Sequence, residues 1–271
     1  MLNAVPVLLY HSISADPPDW IAPFSVSPDT FAAHLDEVVA SGRQPVTASQ
    51  FADGLRGKAM MPARPVLITV DDGFADFAES AIPALTERRL VSTLYITTGA
   101  LADRPRETVL PPAAMLRTAD LAGLEASGVE IGAHSHTHRQ MDLLPEREAA
   151  AELRRSSDLL SDALGHRVRS FAYPHGYYKP RMLRQVAAAG FDSACTVANA
   201  QSGEHDHPLA FSRFMVHADT GPGTVAGWLS GAGASRPHHR MLAFGWRQAR
   251  RVTNRGQGAA GLGDRVIIDH A

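Results

Sequence analysis

The chain has 271 residues with a formal charge of −2, and hydrophobic residues make up 45% of it. A chain of this length buries about 75% of its unfolded surface on folding, so one sizeable core is expected. The near-neutral charge argues against a nucleic-acid partner, and no window approaches the roughly 18 apolar residues of a membrane span. The single cysteine, Cys195, excludes an intrachain disulfide and is expected to be buried.

Seven short apolar runs predict buried strands. Most are continuously apolar rather than alternating, which is typical of strands covered on both faces. In chain order they are residues 5–10, 66–70, 93–97, 129–133, 170–173, 193–197 and 212–216.

Amphipathic stretches between these runs predict helices. One has Ser27 as its N-cap and Pro28 at its first helical position, and it ends before Gly42. Another follows Asp76, where Pro83 should kink the helix or shift its start. Further helices are predicted to begin near Thr118, Pro145 and Pro180. Alternating strands and helices predict an α/β fold with a parallel sheet, either open or closed.

Two segments lack this alternation. Residues 100–112 contain three prolines and predict a long loop, a rim or lid near the site. A Gly/Ser-rich linker begins at residue 230, so we predict a catalytic domain over 1–229, with the linker and a basic C-terminal tail over 230–271. Within the tail, one face of a basic helix is predicted from Met241, Leu242, Trp246 and Ala249. This tail is expected to be solvated or docked on the domain, or else to contact a membrane surface, a partner or an anionic substrate.

The beginning of the sequence bears on location. It enters the first strand candidate directly, without a basic region followed by a long apolar run. We therefore expect a cytoplasmic protein.

Four predicted strands end on residues that bind metal ions or transfer protons. These strand ends are His11, Asp71-Asp72, His134 and Pro174-His175. Because the carboxyl ends of parallel strands meet at one edge of a sheet, the four ends are expected to surround one mouth. Each has an ordinary alternative, since Asp-Asp-Gly is also a common surface turn and the histidines also suit a solvated loop.

The two aspartates can share one site only if the chain bends. Consecutive residues of a strand point to opposite faces, so Gly73 is expected to turn the chain and bring Asp71 and Asp72 together. One carboxylate would then bind a cation while the other accepts a proton.

The histidines supply further ligands. His134 and His138 are four residues apart, so a helical turn would place both on one face to bind a single ion, whereas His136 would point away. Two imidazoles and one carboxylate leave the open coordination position that catalysis requires. Zinc fits these ligands, and cobalt, nickel and iron fit them too.

With these residues in place, the chain resembles the polysaccharide deacetylase family of carbohydrate esterases from about residue 5 to about residue 218. The family's T-F-D-D-G motif appears as Thr69-Val70-Asp71-Asp72-Gly73, and its H-[ST]-x-x-H motif appears at residues 134–138. Residues 9–12 and 171–176 resemble further motifs of one branch. The resemblance implies a distorted (β/α) barrel with about seven parallel strands.

The resemblance also implies residue roles. Asp71 would be the general base, and one divalent metal ion, zinc in the first place, would be held by Asp72, His134 and His138. The backbone N–H of His175 would help to hold the oxyanion.

The substrate pocket is expected to lie beside these groups. His11, Tyr173 and Pro174 are expected to line it, although His11 is equally compatible with a buried, hydrogen-bonded histidine.

Two positions depart from the family pattern. The third motif usually has an arginine two residues before its proline, where this chain has Ala172. Arg213 is the candidate substitute that orients Asp71, the alternative being a plain surface or salt-bridging arginine. The late L-x-H motif is matched only by Met215-Val216-His217, which makes His217 the candidate general acid.

These inferences predict a metal-dependent hydrolase that removes acetyl groups, N-acetyl first, from a sugar, glycan or glycoconjugate intermediate. A cytoplasmic enzyme would more naturally meet a small or lipid-linked substrate than a long polymer. One alternative is the same fold hydrolysing a ring amide, as in allantoinase-like or cyclic-imide enzymes. The other is a catalytically silent glycan-binding module, which only Ala172 supports.

Overall fold

The structure, a computed structural model, describes residues 5–204 and 206–233. Its strands are β1 (Val7–Tyr10), β2 (Ser12–Ile13), β3 (Ser25–Val26), β4 (Gln44–Pro45), β5 (Pro65–Val70), β6 (Ser92–Ile96), β7 (Val129–Ala133), β8 (Ser170–Ala172), β9 (Ser193–Cys195) and β10 (Phe214–Met215). The main sheet is parallel, with the order β10-β1-β5-β6-β7-β8-β9, and β4 adds to it beside β5. The short strands β2 and β3 form a separate parallel pair.

The sheet curls into a distorted barrel, which confirms the predicted fold class. All seven predicted strands are present, most with shorter bounds. The segment after β9 joins the two edges of the sheet, because Phe211 pairs with Cys195 of β9 while Phe214 of β10 pairs with Leu8 of β1. The carboxyl ends of the strands therefore surround one opening, which we call the barrel mouth.

Helices cover the outside of the barrel. They are α1 (Pro28–Ala40), α2 (Ala48–Leu55), α3 (Ile82–Glu87), α4 (Leu121–Ala126), α5 (Glu146–Leu164), α6 (Pro180–Ala188) and α7 (Pro222–Leu229). The Ser27 side chain caps α1 by accepting the backbone N–H of Thr30 at 3.1 Å. Helical structure begins directly after Asp76, as predicted, with a π-helical turn over Phe77–Ala81, and α3 follows with Pro83 in its first turn. The sequence analysis missed α2 and α7.

Alternation along the strands divides the core into an outer and an inner layer. On β5, Ile68 and Val70 face outward and join the large cluster under the helices. Leu67 faces inward and packs with Tyr95, Cys195 and other residues that fill the barrel. Since alternate residues of a strand share a face, Asp71, which continues this inward series beyond β5, is directed into the mouth.

Residues 99–116, which include the proline-containing loop, lie along the mouth, and we call them the rim. Leu116 donates its backbone N–H to the Gly73 carbonyl at 3.0 Å, and Ala75 donates to the Ala114 carbonyl at 3.0 Å. Trp20 adds a bond from Nε1 to the Pro112 carbonyl at 3.3 Å. The first two of these hydrogen bonds attach the rim to the chain that directly follows Asp71 and Asp72.

Among the described residues, no helix has both the length and the apolar character that crossing a bilayer requires. Helix α7 ends at Leu229, where the sequence analysis ended the catalytic domain. That division stays a prediction, and the helix predicted around Trp246 lies outside the described residues.

Gly99 offers a test of how tightly the rim packs on residues 134–138, which we call the histidine segment. A Cβ at this position would collide with the backbone carbonyl oxygens of Glu107 and His136. Overpacking of this kind costs about 1–3 kcal/mol, so Gly99→Ala should lower the free energy of unfolding by that amount in chemical denaturation. Gly123 of α4 is the matched control, because a Cβ there meets nothing within 4 Å, and Gly123→Ala should stabilise by about 0.5–1 kcal/mol. Equal midpoints for the two variants would contradict this packing.

Candidate active site

Strand geometry directs two of the predicted site residues into the mouth. Asp71 and His134 directly follow β5 and β7, and both side chains are buried. The backbone N–H of Asp71 donates to the Tyr10 carbonyl at 2.9 Å, and that of His134 donates to the Ile96 carbonyl at 2.8 Å. The sheet ladder therefore fixes the position from which each side chain starts.

Asp72 reaches the same site because its backbone is left-handed. By alternation alone Asp72 would face away from Asp71, but its φ is 76° and the φ of Gly73 is 88°. The sequence analysis assigned this bend to the glycine, whereas the aspartate shares it. Non-glycine residues seldom adopt this region, although aspartate tolerates it better than most. The backbone N–H of Thr97 holds the turn by donating to the Asp72 carbonyl at 3.2 Å.

The histidine segment converges by a different route from the predicted helical turn, so that prediction is wrong. Ser135 and His138 have left-handed φ values of 61° and 63°, which fold the chain back on itself. The Ser135 Oγ accepts the backbone N–H of His138 at 3.0 Å and closes the turn. His136 is buried away from the cluster, with its Nδ1 2.8 Å from Thr98 Oγ1.

Asp72, His134 and His138 form a group that fits one metal ion. Asp72 Oδ1 lies 3.1 Å from His138 Nε2 and 3.6 Å from His134 Nε2. Two ligands of a tetrahedral site with bonds of about 2 Å are separated by roughly 3.3 Å, so these distances match. Asp72 Oδ1 is buried without a hydrogen-bond partner, which is the state of an oxygen that has a cation as its partner.

His134 is prepared to act as a ligand. Its Nδ1 lies 2.9 Å from the Ala172 carbonyl oxygen. Since a carbonyl only accepts hydrogen bonds, Nδ1 carries the proton and the Nε2 lone pair faces Asp72. Burial lowers the pKa of His134 to about 4, so the ring is neutral at pH 7.

Arg213, which directly precedes β10, binds the other aspartate, Asp71. Its Nη1 and Nη2 bind the two carboxylate oxygens of Asp71, each at 2.7 Å, and its side chain is 0% exposed. Its Nε donates to the Thr196 carbonyl at 3.1 Å, and the guanidinium lies 5.6 Å from the centre of the Tyr95 ring. Arg213 is thus a buried partner of Asp71 and not a surface arginine, and it makes a contact that Ala172 is unable to make.

The charges of the two aspartates are stabilised by their neighbours. Burial raises the pKa of Asp71, but the Arg213 guanidinium outweighs burial and holds that pKa below its usual range. Burial likewise raises the pKa of Asp72, while His138 holds that pKa below its usual range. Both carboxylates are therefore ionised at pH 7.

Three more histidines lie around the mouth. His175 is exposed, has a left-handed φ of 59°, and places its ring 4.9 Å from that of His138. The ring of His217 is 5.2 Å from Phe24, whose ring is 5.7 Å from that of His11. Burial lowers the pKa of His11, and its Nδ1 is buried without a hydrogen-bond partner. The structure thus brings these residues to the mouth, while their roles stay predictions.

Tyr173 does not line the pocket, contrary to expectation. Its side chain is 0% exposed, its ring packs 5.2 Å from that of Phe171, and its hydroxyl donates to the Leu209 carbonyl at 3.2 Å. Tyr173 and Phe171 are two residues apart, so both point outward to the helices, whereas Ala172 faces the barrel interior. Pro174 is buried as well.

Sequence reasoning missed Glu152 of α5. Its carboxylate is buried and accepts hydrogen bonds from the backbone of residues 136 and 137, inside the histidine segment. The available signal was an acidic residue on the apolar face of an amphipathic helix, directly before Leu153 and near Ala149. Such a residue requires a buried partner.

Fold and site together define an α/β-barrel protein with a candidate metal centre at the carboxyl ends of its strands. Residues 58–194, half of the chain, match the family model described as Polysaccharide deacetylase. The chain belongs to the polysaccharide deacetylase family, as its motifs predicted, and this places it among hydrolases that deacetylate polysaccharides.

Individual relatives are distant in sequence. YxkH of Bacillus subtilis is 22% identical over 212 residues, which cover 78% of this chain and 71% of that protein. The deacetylase PplD of Streptococcus pyogenes, solved in complex with acetate, superposes with a TM-score of 0.74 at 21% identity, over 84% of this chain and 99% of that one. IcaB from Ammonifex degensii superposes with a TM-score of 0.71 at 24% identity, over 83% of this chain and 97% of that one. The structural likenesses show the fold.

The contribution of the ion pair between Arg213 and Asp71 to stability can be tested by substitution. Arg213→Ala leaves a buried carboxylate uncompensated, so the free energy of unfolding should fall by about 3–5 kcal/mol in chemical denaturation. Arg169→Ala is the matched control, because this arginine also pairs with two carboxylates, Asp53 and Asp192, but its side chain is 36% exposed. Arg169→Ala should therefore lower the free energy of unfolding by only about 1 kcal/mol. If both variants lost the same free energy of unfolding, burial of the Asp71 carboxylate would not require Arg213.

Proposed function

We propose that this protein is a divalent-metal-dependent deacetylase that hydrolyses the N-acetyl group of a sugar, glycan or glycoconjugate intermediate. The observation that carries the proposal is the convergence of Asp72, His134 and His138 on one point, with Asp71 held next to them by Arg213. Zinc is the first candidate for the ion, with cobalt, nickel and iron as alternatives.

The proposal divides the labour between the two aspartates. A cation held by Asp72 and the two histidines would polarise an acetyl carbonyl and lower the pKa of a water molecule. Asp71 takes a proton from the attacking water at its carboxylate. Because Arg213 lowers the pKa of Asp71, this carboxylate is a weak base, and it can act only on a water that has been made acidic. The cation site and the clamped base therefore require each other.

Residues around the mouth complete the reaction. The backbone N–H of His175 would donate to the developing oxyanion. As the oxygen of the water bonds to the acetyl carbon and the C–N bond breaks, the ring of His217 gives a proton to the leaving amine nitrogen. The products are acetate and a free amine, and His11 would line the substrate pocket.

Single substitutions separate the base from the metal ligands. Asp71→Asn keeps all three ligands, so it should retain metal while lowering kcat by at least about 100-fold, since it loses the proton acceptor. His138→Ala should lose both the metal and the activity. Metal content after dialysis and acetate release from N-acetylated chitooligosaccharides are the two measurements.

The control for these variants is Asp53→Asn. Asp53 pairs with Arg169 and has no contact with the cluster. This variant should keep both metal and turnover, and chelation of the parent enzyme should abolish turnover until the metal is restored. Parental turnover in Asp71→Asn would show that another group is the base. A parent protein that binds glycans but neither holds metal nor releases acetate would be the silent module.

Substrate choice separates deacetylation from ring opening. The metal-loaded enzyme is expected to release acetate from N-acetylglucosamine and from its oligomers of two to five sugars, and to leave a cyclic imide intact. Acetate is measured by a coupled enzymatic assay and ring opening by the loss of imide absorbance. Turnover of the imide alone would replace the deacetylase with the ring-amide hydrolase.

A further inference from the structure

A buried carboxylate on α5 binds the segment that carries the two candidate histidine ligands. Glu152 Oε2 accepts the backbone N–H groups of His136 and Thr137 at 2.9 and 2.8 Å. Glu152 Oε1 accepts the hydroxyl of Thr137 at 2.8 Å. One side chain, 8% exposed, thus makes three charge-assisted hydrogen bonds to the two residues that lie between the ends of the turn.

This segment has a conformation that needs external support. Ser135 and His138 are both left-handed, and this conformation is energetically unfavourable for residues other than glycine. They persist only where surrounding contacts outweigh that cost. The orientation of His138 depends directly on this strained backbone, because His138 is itself one of the two residues.

Further support comes from the opposite side. The carbonyl of His136 accepts the backbone N–H of Gly99 at 2.8 Å, and the carbonyl of Thr137 accepts that of Val109 at 2.9 Å. The rim therefore holds the carbonyl groups of these two residues, while Glu152 holds their N–H groups. Without the carboxylate, the buried N–H of His136 and the part-buried N–H of Thr137 would lose their acceptor.

We propose that Glu152 is a positioning residue that preorganises the metal site. It holds the segment 135–138 in the conformation in which His134 and His138 face Asp72, so the ion does not have to order the segment when it binds. Glu152 contacts neither the candidate ligand atoms nor the place of the substrate, and it acts through the backbone. The inference rests on the proposed metal site, and it assigns to α5 a function beyond covering the sheet.

The test compares two glutamates of one helix. Glu148 lies one turn before Glu152 and pairs with Arg139 at 2.9 Å on the surface. Glu148→Gln is the matched control, while Glu152→Ala removes all three hydrogen bonds. Glu152→Gln keeps an oxygen that can face the two N–H groups but loses the charge, so it should rescue the alanine variant in part.

The readout is Zn²⁺ affinity, measured by competition with a chromophoric chelator. Loss of an outer partner of metal ligands typically costs 10–100-fold in affinity, so Glu152→Ala should bind Zn²⁺ roughly 10–100-fold more weakly. Glu152→Gln should fall between that variant and the parent, and Glu148→Gln should match the parent. The visible spectrum of bound Co²⁺ should change in Glu152→Ala and stay unchanged in Glu148→Gln. Hydrogen exchange at the amides of residues 136 and 137 should be faster in Glu152→Ala.

The outcomes separate this inference from the proposed function. If the parent binds Zn²⁺ and both Glu152 variants bind it within twofold of Glu148→Gln, the positioning role is wrong and the metal site stands. If the parent binds none of Zn²⁺, Co²⁺, Ni²⁺ and Fe²⁺, the proposed function is wrong and the positioning role is wrong with it. If Glu152→Ala does not fold, Glu152→Gln alone decides, and an affinity equal to that of Glu148→Gln overturns the proposal.

Discussion

The buried ion pair between Arg213 and Asp71 constrains both the barrel and the site. Taking two charges out of water is costly, and it is tolerated only where geometry is good and the remaining hydrogen bonds are made. Both conditions hold, since the guanidinium binds both carboxylate oxygens at 2.7 Å and Nε donates to the Thr196 carbonyl. Arg213 belongs to the segment that joins the two edges of the sheet. The same residue therefore links closure of the barrel to the charge of the candidate base.

Backbone strain is concentrated at the mouth, where it decides which side chains meet. Asp72, Ser135, His138 and His175 are four of the six non-glycine residues with positive φ among the described residues. A strand can direct only every second residue into the barrel, so a site that needs neighbours such as Asp71 and Asp72 requires a left-handed residue. Around Ser135 and His138, contacts of the rim and of α5 with residues 136 and 137 offset the energetic cost of the left-handed backbone, so part of the support for the site lies outside the site.

Much of this organisation could be predicted from the sequence, because it follows from strand periodicity. The seven apolar runs located the strands, and the residues that end them located the mouth. The same periodicity places Tyr173 on the outer face with Phe171, so its assignment to the pocket was an avoidable error. The left-handed residues were not predictable, because φ at Ser135 or His138 is set by hydrogen bonds to distant segments. For Glu152 the sequence indicated the need for a buried partner but not which partner, since the groups that bind it lie on another element.

The alanine at position 172, together with the buried arginine at position 213, also bears on whether the chain is a catalyst or a silent module. Ala172 faces the barrel interior, so an arginine there would lie in the same space as Arg213 and share one carboxylate with it. Two buried guanidinium groups against a single Asp71 would leave one charge uncompensated, which costs several kcal/mol. Arg213 therefore supplies to Asp71 the buried cation that an alanine at position 172 is unable to supply. The backbone at 172 keeps its own task, because its carbonyl fixes the tautomer of His134 and needs no particular side chain.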